Sequence, residues 1–265
     1  MGVPLRAAAA APGGQRVSVY REFAPSTELA GVVRCTWEGV PGWSRAIRVL
    51  PDGCADLAWN GESLFVTTGF APMRVPLAAH GTTVGLRLHC GTAGGVLRSV
   101  AAGELADLVP SSARLTAELH AAATAAEKRL LLERFVARRL RDGFRPDPAV
   151  PAVVRELTAP EARIDRVADR IGLSERTLRR RLGVAAGCGP KELHRVLRFA
   201  GFVRSLGELV AGRVTLSSVA AGLGFTDQSH LGHECVRLSG SSPARLVAAY
   251  ARHDGVAEIH QTRPS

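Results

Sequence analysis

The sequence predicts an α+β protein in three parts. A small β-rich barrel or sandwich near the N-terminus is followed by a helical linker and an all-α C-terminal domain. That last domain is expected to hold two helix-turn-helix units joined by a long helix. Two observations support this class. Short apolar segments separated by turn residues dominate the first 110 positions, and apolar residues at helical spacing dominate the remainder.

The strands are predicted from hairpin and alternation signals. Asn60-Gly61, between two apolar runs, is a strong signal for a two-residue hairpin. Pro51-Asp52-Gly53 is a turn signal that ends another apolar run. Residues 84–88 alternate between apolar and other side chains, as expected for a half-buried strand. The β-rich domain is therefore placed at 17–110, after a tail over 1–16 that we expect to be disordered.

Helical spacing begins near residue 111. Two linker helices are predicted between 111 and 148, with a break near 123–125, and the prolines at 146 and 148 indicate a hinge. The helical C-terminal domain is placed at 149–250, and a second tail at 251–265. No apolar run reaches the roughly 20 residues that a membrane helix requires.

The five cysteines are odd in number and widely spaced, and no C-x-x-C pair occurs. This pattern argues against a disulfide framework or a zinc ribbon and is typical of a reducing cytosol. The sequence contains no Ser/His/Asp order, no phosphate loop and no clear pair of catalytic carboxylates. We therefore expect a cytoplasmic protein that is not an enzyme and has no cofactor and no metal.

The net charge of +10 is unevenly distributed. Residues 1–110 contain 9 arginines and 8 acidic residues, so almost the whole excess of basic residues lies in the second part of the chain. Such an asymmetry indicates that a polyanion would bind to the C-terminal part. Charge alone leaves open the alternative that the basic residues only favour solubility.

A helical pattern occurs twice in this basic region. Ile164, Val167, Ala168 and Ile171 have i, i+3, i+4, i+7 spacing before Gly172, and the same pattern recurs at Leu216, Val219, Ala220 and Leu223 before Gly224. Glycine permits the left-handed conformation of a sharp turn, Leu173 or Phe225 is expected to fill the angle between helices, and Ser174 or Asp227 can cap a second helix. Each copy thus predicts a helix-turn-helix unit.

A helix over 190–206 is predicted between the two units, starting at Pro190 and about 25 Å long. A rod of this length could place two recognition helices in successive major grooves, which lie about 34 Å apart on one face of DNA.

The C-terminal region resembles the AraC family of bacterial regulators over about 162–246. The residues that carry the resemblance are the stretches 167–180 (VADRIGLSERTLRR) and 219–230 (VAAGLGFTDQSH), followed by Ser242-Pro243. The resemblance implies two helix-turn-helix units per chain, sequence-specific binding to double-stranded DNA, and an N-terminal domain that senses a ligand or mediates dimerisation. The N-terminal stretches 50–57 (LPDGCADL), 69–70 and 84–87 are similar to an uncharacterised domain found in some members of that family.

The first recognition helix is expected to present three arginines on its outer face. Spacing of three and four places Arg176 beside Arg179 and Arg180, and an arginine can bond guanine O6 and N7 together. Gln228 could read adenine in a similar bidentate way. The predicted DNA-binding residues are Ser174, Arg176, Thr177, Arg179, Arg180, Arg181, Gln228, Ser229, His230 and His233. Glu234 should face phosphates poorly, so we expect a weaker contribution from the second unit.

Other interpretations remain open at this stage. Cys54 could make the chain a thiol-based sensor or an alkyl acceptor, although neighbouring carboxylates would disfavour the thiolate. His230, His233 and Cys235 have a spacing that a metal could use, but no fourth ligand is near in sequence. A protein-interaction module that has lost DNA binding is a third alternative. RNA polymerase, a small-molecule effector and a second copy of the chain are candidate partners besides DNA, and no membrane is expected.

Overall fold

The N-terminal part is built on antiparallel β-structure. The structure is a computed structural model that describes residues 7–9, 18–98, 103–105, 109 and 112–252. Its main sheet has seven strands in the order β1-β2-β3-β8-β5-β6-β9, and β4 pairs with β7 in a second sheet. The strands are β1 Ala7–Ala9, β2 Ser18–Phe23, β3 Val33–Val40, β4 Arg45–Val49, β5 Asp56–Trp59, β6 Leu64–Thr67, β7 Met73–Leu77, β8 Thr83–Leu88 and β9 Gly103–Glu104.

The predicted α+β class is confirmed. β5 and β6 pair in the register Trp59 with Leu64, so the predicted hairpin forms. The two-residue turn predicted at Asn60-Gly61 is wrong, because residues 60–63 separate the strands and the Asn60 N–H bonds to the Ser63 carbonyl, with Gly61 at φ 103°. The side chain of Asn60 closes this loop by accepting hydrogen bonds from the backbone N–H groups of Glu62 and Ser63. The strand predicted at 84–88 is β8, but the half-buried character predicted for it is wrong. β8 lies at the centre of the sheet and is buried throughout, because it has a strand on each side and a helix packed on it.

Two predicted boundaries need correction. The helices expected as a linker, α2 (Ala113–Ala121) and α3 (Ala125–Arg141), pack on the sheet and share its core through Leu119 and Phe135. Their apolar faces are therefore part of the N-terminal domain. The tail expected to be disordered over 1–16 contains β1, which pairs with β2. The rest of that tail, and residues 253–265 of the second tail, lie outside the described residues.

The helical domain begins at Val150. A short helix α1 (Ala93–Leu97) belongs to the N-terminal part. The helices of the C-terminal part are α4 Val150–Leu157, α5 Ile164–Ile171, α6 Glu175–Ala186, α7 Pro190–Arg204, α8 Leu206–Val210, α9 Leu216–Gly222, α10 Gln228–Ser239 and α11 Pro243–Ala251.

The central helix α7 is shorter than predicted. It ends at Arg204 and covers 15 residues, and the hydroxyl of Ser205, the residue after its end, donates to the Gly201 carbonyl at 3.1 Å. α8 then continues separately. The first unit packs around Val167, Leu178 and Leu182, and the second around Phe199, Leu231 and Leu246, so each unit has its own core on α7.

Candidate nucleic-acid interface

The first helix-turn-helix unit is formed by α5 and α6. α5 ends at Gly172, which has φ 71°, and the backbone N–H of Leu173 bonds to the Ala168 carbonyl. The Ser174 hydroxyl accepts from the backbone N–H of Thr177 at 3.2 Å, which caps α6 as predicted. Leu178 and Leu182 are fully buried on the inner face of α6.

The outer face of α6 is rich in arginine. Arg176, Arg179 and Arg180 are exposed, whereas Arg181 is half-buried and forms an ion pair with Asp147 at 3.4 Å. Thr177 is half-buried too, and its hydroxyl lies 3.0 Å from that of Ser174. Three arginines of α6 thus point to solvent from the face opposite the core, whereas Arg181 connects α6 to the segment before α4.

The second unit is formed by α9 and α10 and follows the same plan. Gly224 has φ 71°, Phe225 fills the angle between the helices at 5% exposure, and Asp227 accepts from the backbone N–H of His230 at 2.7 Å. Leu231 and Cys235 are fully buried on the inner face of α10. Leu173, the counterpart of Phe225 in the first unit, is only partly buried.

The surface of α10 is polar and carries few charges. Gln228, Ser229 and His233 are exposed, and the Gln228 Oε1 accepts from the Ser217 hydroxyl at 3.3 Å. His230 is half-buried: its Nδ1 accepts from the backbone N–H of Thr226 at 3.3 Å, and its ring packs edge-on against Phe225 at 5.4 Å. The His230 ring therefore supports the turn of the second unit.

Glu234 of α10 is turned towards the central helix. Its side chain is 13% exposed, and it lies 2.9 Å from the guanidinium of Arg237 and 3.9 Å from that of Arg195 on α7. The carboxylate thus connects the second recognition helix to the central helix. The sequence pattern missed this contact because it joins residues on different helices.

Both recognition helices begin at one cleft. Glu175 at the start of α6 and His230 in the first turn of α10 line the same cleft, of about 630 Å³. Its floor includes Lys191, Arg195 and Arg198 of α7, and the Arg198 guanidinium lies 3.8 Å above the Phe225 ring. The helix starts therefore lie on the same side of the domain. The three basic residues follow helical spacing at positions 191, 195 and 198, so the sequence itself contains a signal for this cleft.

Cys54 is poorly suited to thiol chemistry. Its side chain is 5% exposed, and burial, followed by the charge of Asp52, raises the pKa of the thiol to about 12. The metal alternative also receives no support from geometry. Cys235 is in the core of the second unit, and the described residues include no group of three or more His, Cys, Asp or Glu side chains placed to bind a metal ion.

The interior of the N-terminal domain contains a mainly apolar cavity of about 80 Å³. Tyr20, Trp37 and Phe65 contribute aromatic walls, and Asp56 and Arg87 contribute polar groups. Gly85 makes room for one wall, since a Cβ at that position would overlap the Trp37 ring. In the part of the chain that is described, no helix is long and apolar enough to cross a membrane.

Comparison with known families identifies both parts of the chain. Residues 167–249 match a family described as a helix-turn-helix domain, and residues 21–111 match a domain of unknown function (DUF6597). No curated protein matches the chain. The solved structures that resemble it include ToxT from Vibrio cholerae, at 11% identity, with 79% of this chain and 90% of that chain covered and a TM-score of 0.41. They also include ToxT bound to an unsaturated fatty acid, at 12% identity, with 90% and 96% covered and a TM-score of 0.41.

The two capped units define a DNA-binding transcription regulator. Its C-terminal region is a helix-turn-helix domain of the AraC type, which confirms the resemblance found in the sequence, and its N-terminal region is a DUF6597 domain.

Proposed function

We propose that the chain binds a specific DNA duplex by placing α6 and α10 in successive major grooves, under the influence of its N-terminal domain. The observation that carries this proposal is the common cleft at which both recognition helices begin, because two helices on one side of a domain can engage one face of DNA. Because the proposed partner is DNA, we also propose that the chain acts in the cytoplasm.

The roles of the two helices differ in this proposal. Arg176, Arg179 and Arg180 are exposed together on α6 and have the fork geometry that pairs with guanine. Gln228, Ser229 and His233 give α10 neutral contacts, with Gln228 suited to adenine. We assign contacts with the DNA backbone to Ser174, Thr177 and Arg181. His230 is assigned the same contact in addition to its support of the turn. Most base discrimination should therefore come from the first unit.

Selection from a random-sequence duplex library with the full chain tests the proposal. The expected product is a bipartite site whose two parts lie about 10 base pairs apart, one of them rich in guanine. Arg179→Ala and Arg180→Ala should each weaken binding to that site by about tenfold, corresponding to loss of a bidentate contact. Arg74→Ala, which removes an exposed arginine of β7 in the N-terminal domain, is the matched control. Failure to enrich any sequence would contradict the proposal.

The cavity of the N-terminal domain is the proposed site of modulation. Its walls are mainly apolar, and the carboxylate of Asp56 already accepts from Arg87 and Trp37, so a small and largely apolar effector fits it best. Indole, used as a probe, should raise the melting temperature of the chain. Ala58→Leu, which fills part of the cavity, should abolish that rise, and an equal rise in both proteins would place the probe elsewhere.

A further inference from the structure

One segment of the N-terminal domain contributes to the core of the other domain. Leu50, which follows β4, is 1% exposed and belongs to the core of the second helix-turn-helix unit, together with Val196 and Phe199 of α7. Leu50 is not part of the core beneath the main sheet. Leu50, the first residue of the Leu50-Pro51-Asp52-Gly53 motif, therefore forms a contact between the two domains.

Arg48 adds a polar contact at the same place. Its Nη1 donates to the Ser239 carbonyl at 3.0 Å and to the Ser241 hydroxyl at 2.9 Å. Ser239 is the last residue of the second recognition helix, where backbone carbonyls lack partners within the helix and a positive charge is favoured. Arg48 therefore fixes the C-terminal end of α10 to strand β4.

Phe70 lies between the two units. It packs against the core of the first unit and against the core of the second. The loop that carries it is fixed to the Leu50–Gly53 turn, because the Gly53 N–H donates to the Gly69 carbonyl at 2.8 Å. Gly69 is required for this approach, since a Cβ there would overlap the backbone of Gly53 and Cys54.

The first recognition helix is contacted from the same domain. α1 packs on α6, and a Cβ at Gly94 would overlap the carbonyl of Val184, near the C-terminal end of α6. The N-terminal domain thus touches both recognition helices at the ends remote from the cleft. The central helix α7 also contacts both recognition helices, and the N-terminal domain adds a second connection between them at these ends.

We propose that Arg48, Leu50 and Phe70 form an interdomain clamp that fixes the distance and rotation between the two recognition helices, and thereby the spacing of the DNA that the chain accepts. This inference rests on the proposed function, since it concerns how two helices engage one duplex. Arg48 and Phe70 are positioning residues: they lie on the N-terminal domain and act through α10 and the two cores.

The clamp predicts a sharp dependence on spacing. Each base pair added between the two parts of a site turns the second part by about 34° and moves it by about 3.4 Å. A rigid pair of helices can engage both parts at one spacing only, and joint engagement multiplies affinity by on the order of a hundredfold or more. A pair freed from the clamp should adapt to neighbouring spacings while losing affinity at the best one.

The test measures affinity of the full chain for the selected duplex and for versions with one or two base pairs inserted or removed. The affinity of the wild-type chain should fall by about tenfold or more for each change of one base pair. Arg48→Met, which retains the aliphatic stem but removes both hydrogen bonds, should reduce that loss to about threefold or less. Arg74→Met is the matched control, because Arg74 lies opposite Arg48 in the register of strands β4 and β7 and is exposed.

Circular dichroism and melting of each variant show whether the fold survives. Should Arg48→Met fail to fold, Arg48→Lys and Phe70→Leu serve the same purpose, because both are milder changes of the same contacts. A folded clamp variant with the spacing profile of the wild-type chain would overturn the clamp. A wild-type chain that selects no bipartite duplex would instead overturn the proposed function, so the two failures are distinguishable.

Discussion

Arg87 and Asp56 form a bidentate ion pair inside the N-terminal domain. Nε and Nη2 of Arg87 each donate to one oxygen of Asp56 at 3.0 Å, and both residues are at most 5% exposed. Trp37 Nε1 donates to the same carboxylate at 3.1 Å, and Asp52 lies 4.0 Å from Arg87 on the other side. The pair therefore joins the wall of the cavity to the turn that leads to the interdomain clamp.

Asp56→Asn should lower the free energy of unfolding by about 3 kcal/mol or more, because it leaves the Arg87 guanidinium buried without a full counter-charge. The double variant Asp56→Leu with Arg87→Met should lose less stability than the sum of the losses of Asp56→Leu alone and Arg87→Met alone, since neither charge then remains unpaired. Urea denaturation followed by the fluorescence of the tryptophans in the N-terminal domain measures the free energy of unfolding of each variant. Strictly additive losses would show that the two side chains do not stabilise each other.

The caps of the recognition helices should contribute measurably to stability. Asp227→Ala removes the acceptor of the 2.7 Å bond from the His230 N–H and should cost about 1 kcal/mol, whereas Asp227→Asn, which keeps an acceptor oxygen, should cost much less. Ser229→Ala, an exposed change two residues further on, is the control. Chemical denaturation followed by circular dichroism at 222 nm compares the three, and equal losses for Ala and Asn would contradict the capping role.

Much of the helical domain could be predicted from sequence because its signals are local. The glycines at 172 and 224 and the caps at Ser174 and Asp227 act within a few residues of themselves, and all four occupy the predicted conformations. The exposed arginines of α6 follow from the same periodicity. The part that could not be predicted depends on long-range packing. Nothing near Glu234 in sequence indicates its contact with Arg195 on α7, and nothing near Leu50 indicates a partner core nearly 150 residues away.

Two glycines near the first recognition helix should respond in opposite directions to the same change. Gly94→Ala places a methyl group against the carbonyl of Val184 and should destabilise the chain by about 1–3 kcal/mol through overpacking. Gly183→Ala, within α6 and with nothing near the added carbon, should be neutral or stabilise the helix by up to about 1 kcal/mol.

The melting temperatures of the two alanine variants, measured side by side, test this packing of α1 on α6. A Gly94→Ala protein as stable as the wild-type chain would mean that α1 moves freely on the recognition helix.

Buried thiols should make the chain sensitive to alkaline pH. Burial raises the pKa of Cys54 from 9.0 to about 12 in the folded chain, so the folded form favours the neutral thiol. A group with a raised pKa contributes stability that is fully present below its unfolded value, near 9, and is lost as the pH rises towards about 12. Within that window the loss approaches about 1.4 kcal/mol per pH unit for one thiol.

Comparison of Cys54→Ala with the wild-type chain isolates this contribution. The variant should start less stable at pH 7.5, because it leaves a small gap in a buried position, but its stability should fall less steeply between pH 9 and 10.5. The difference in slope belongs to the thiol, since the other titrating groups are common to both proteins. Parallel curves from urea denaturation across that range would show that the Cys54 thiolate is tolerated in the folded chain, and would restore Cys54 as a candidate for thiol chemistry.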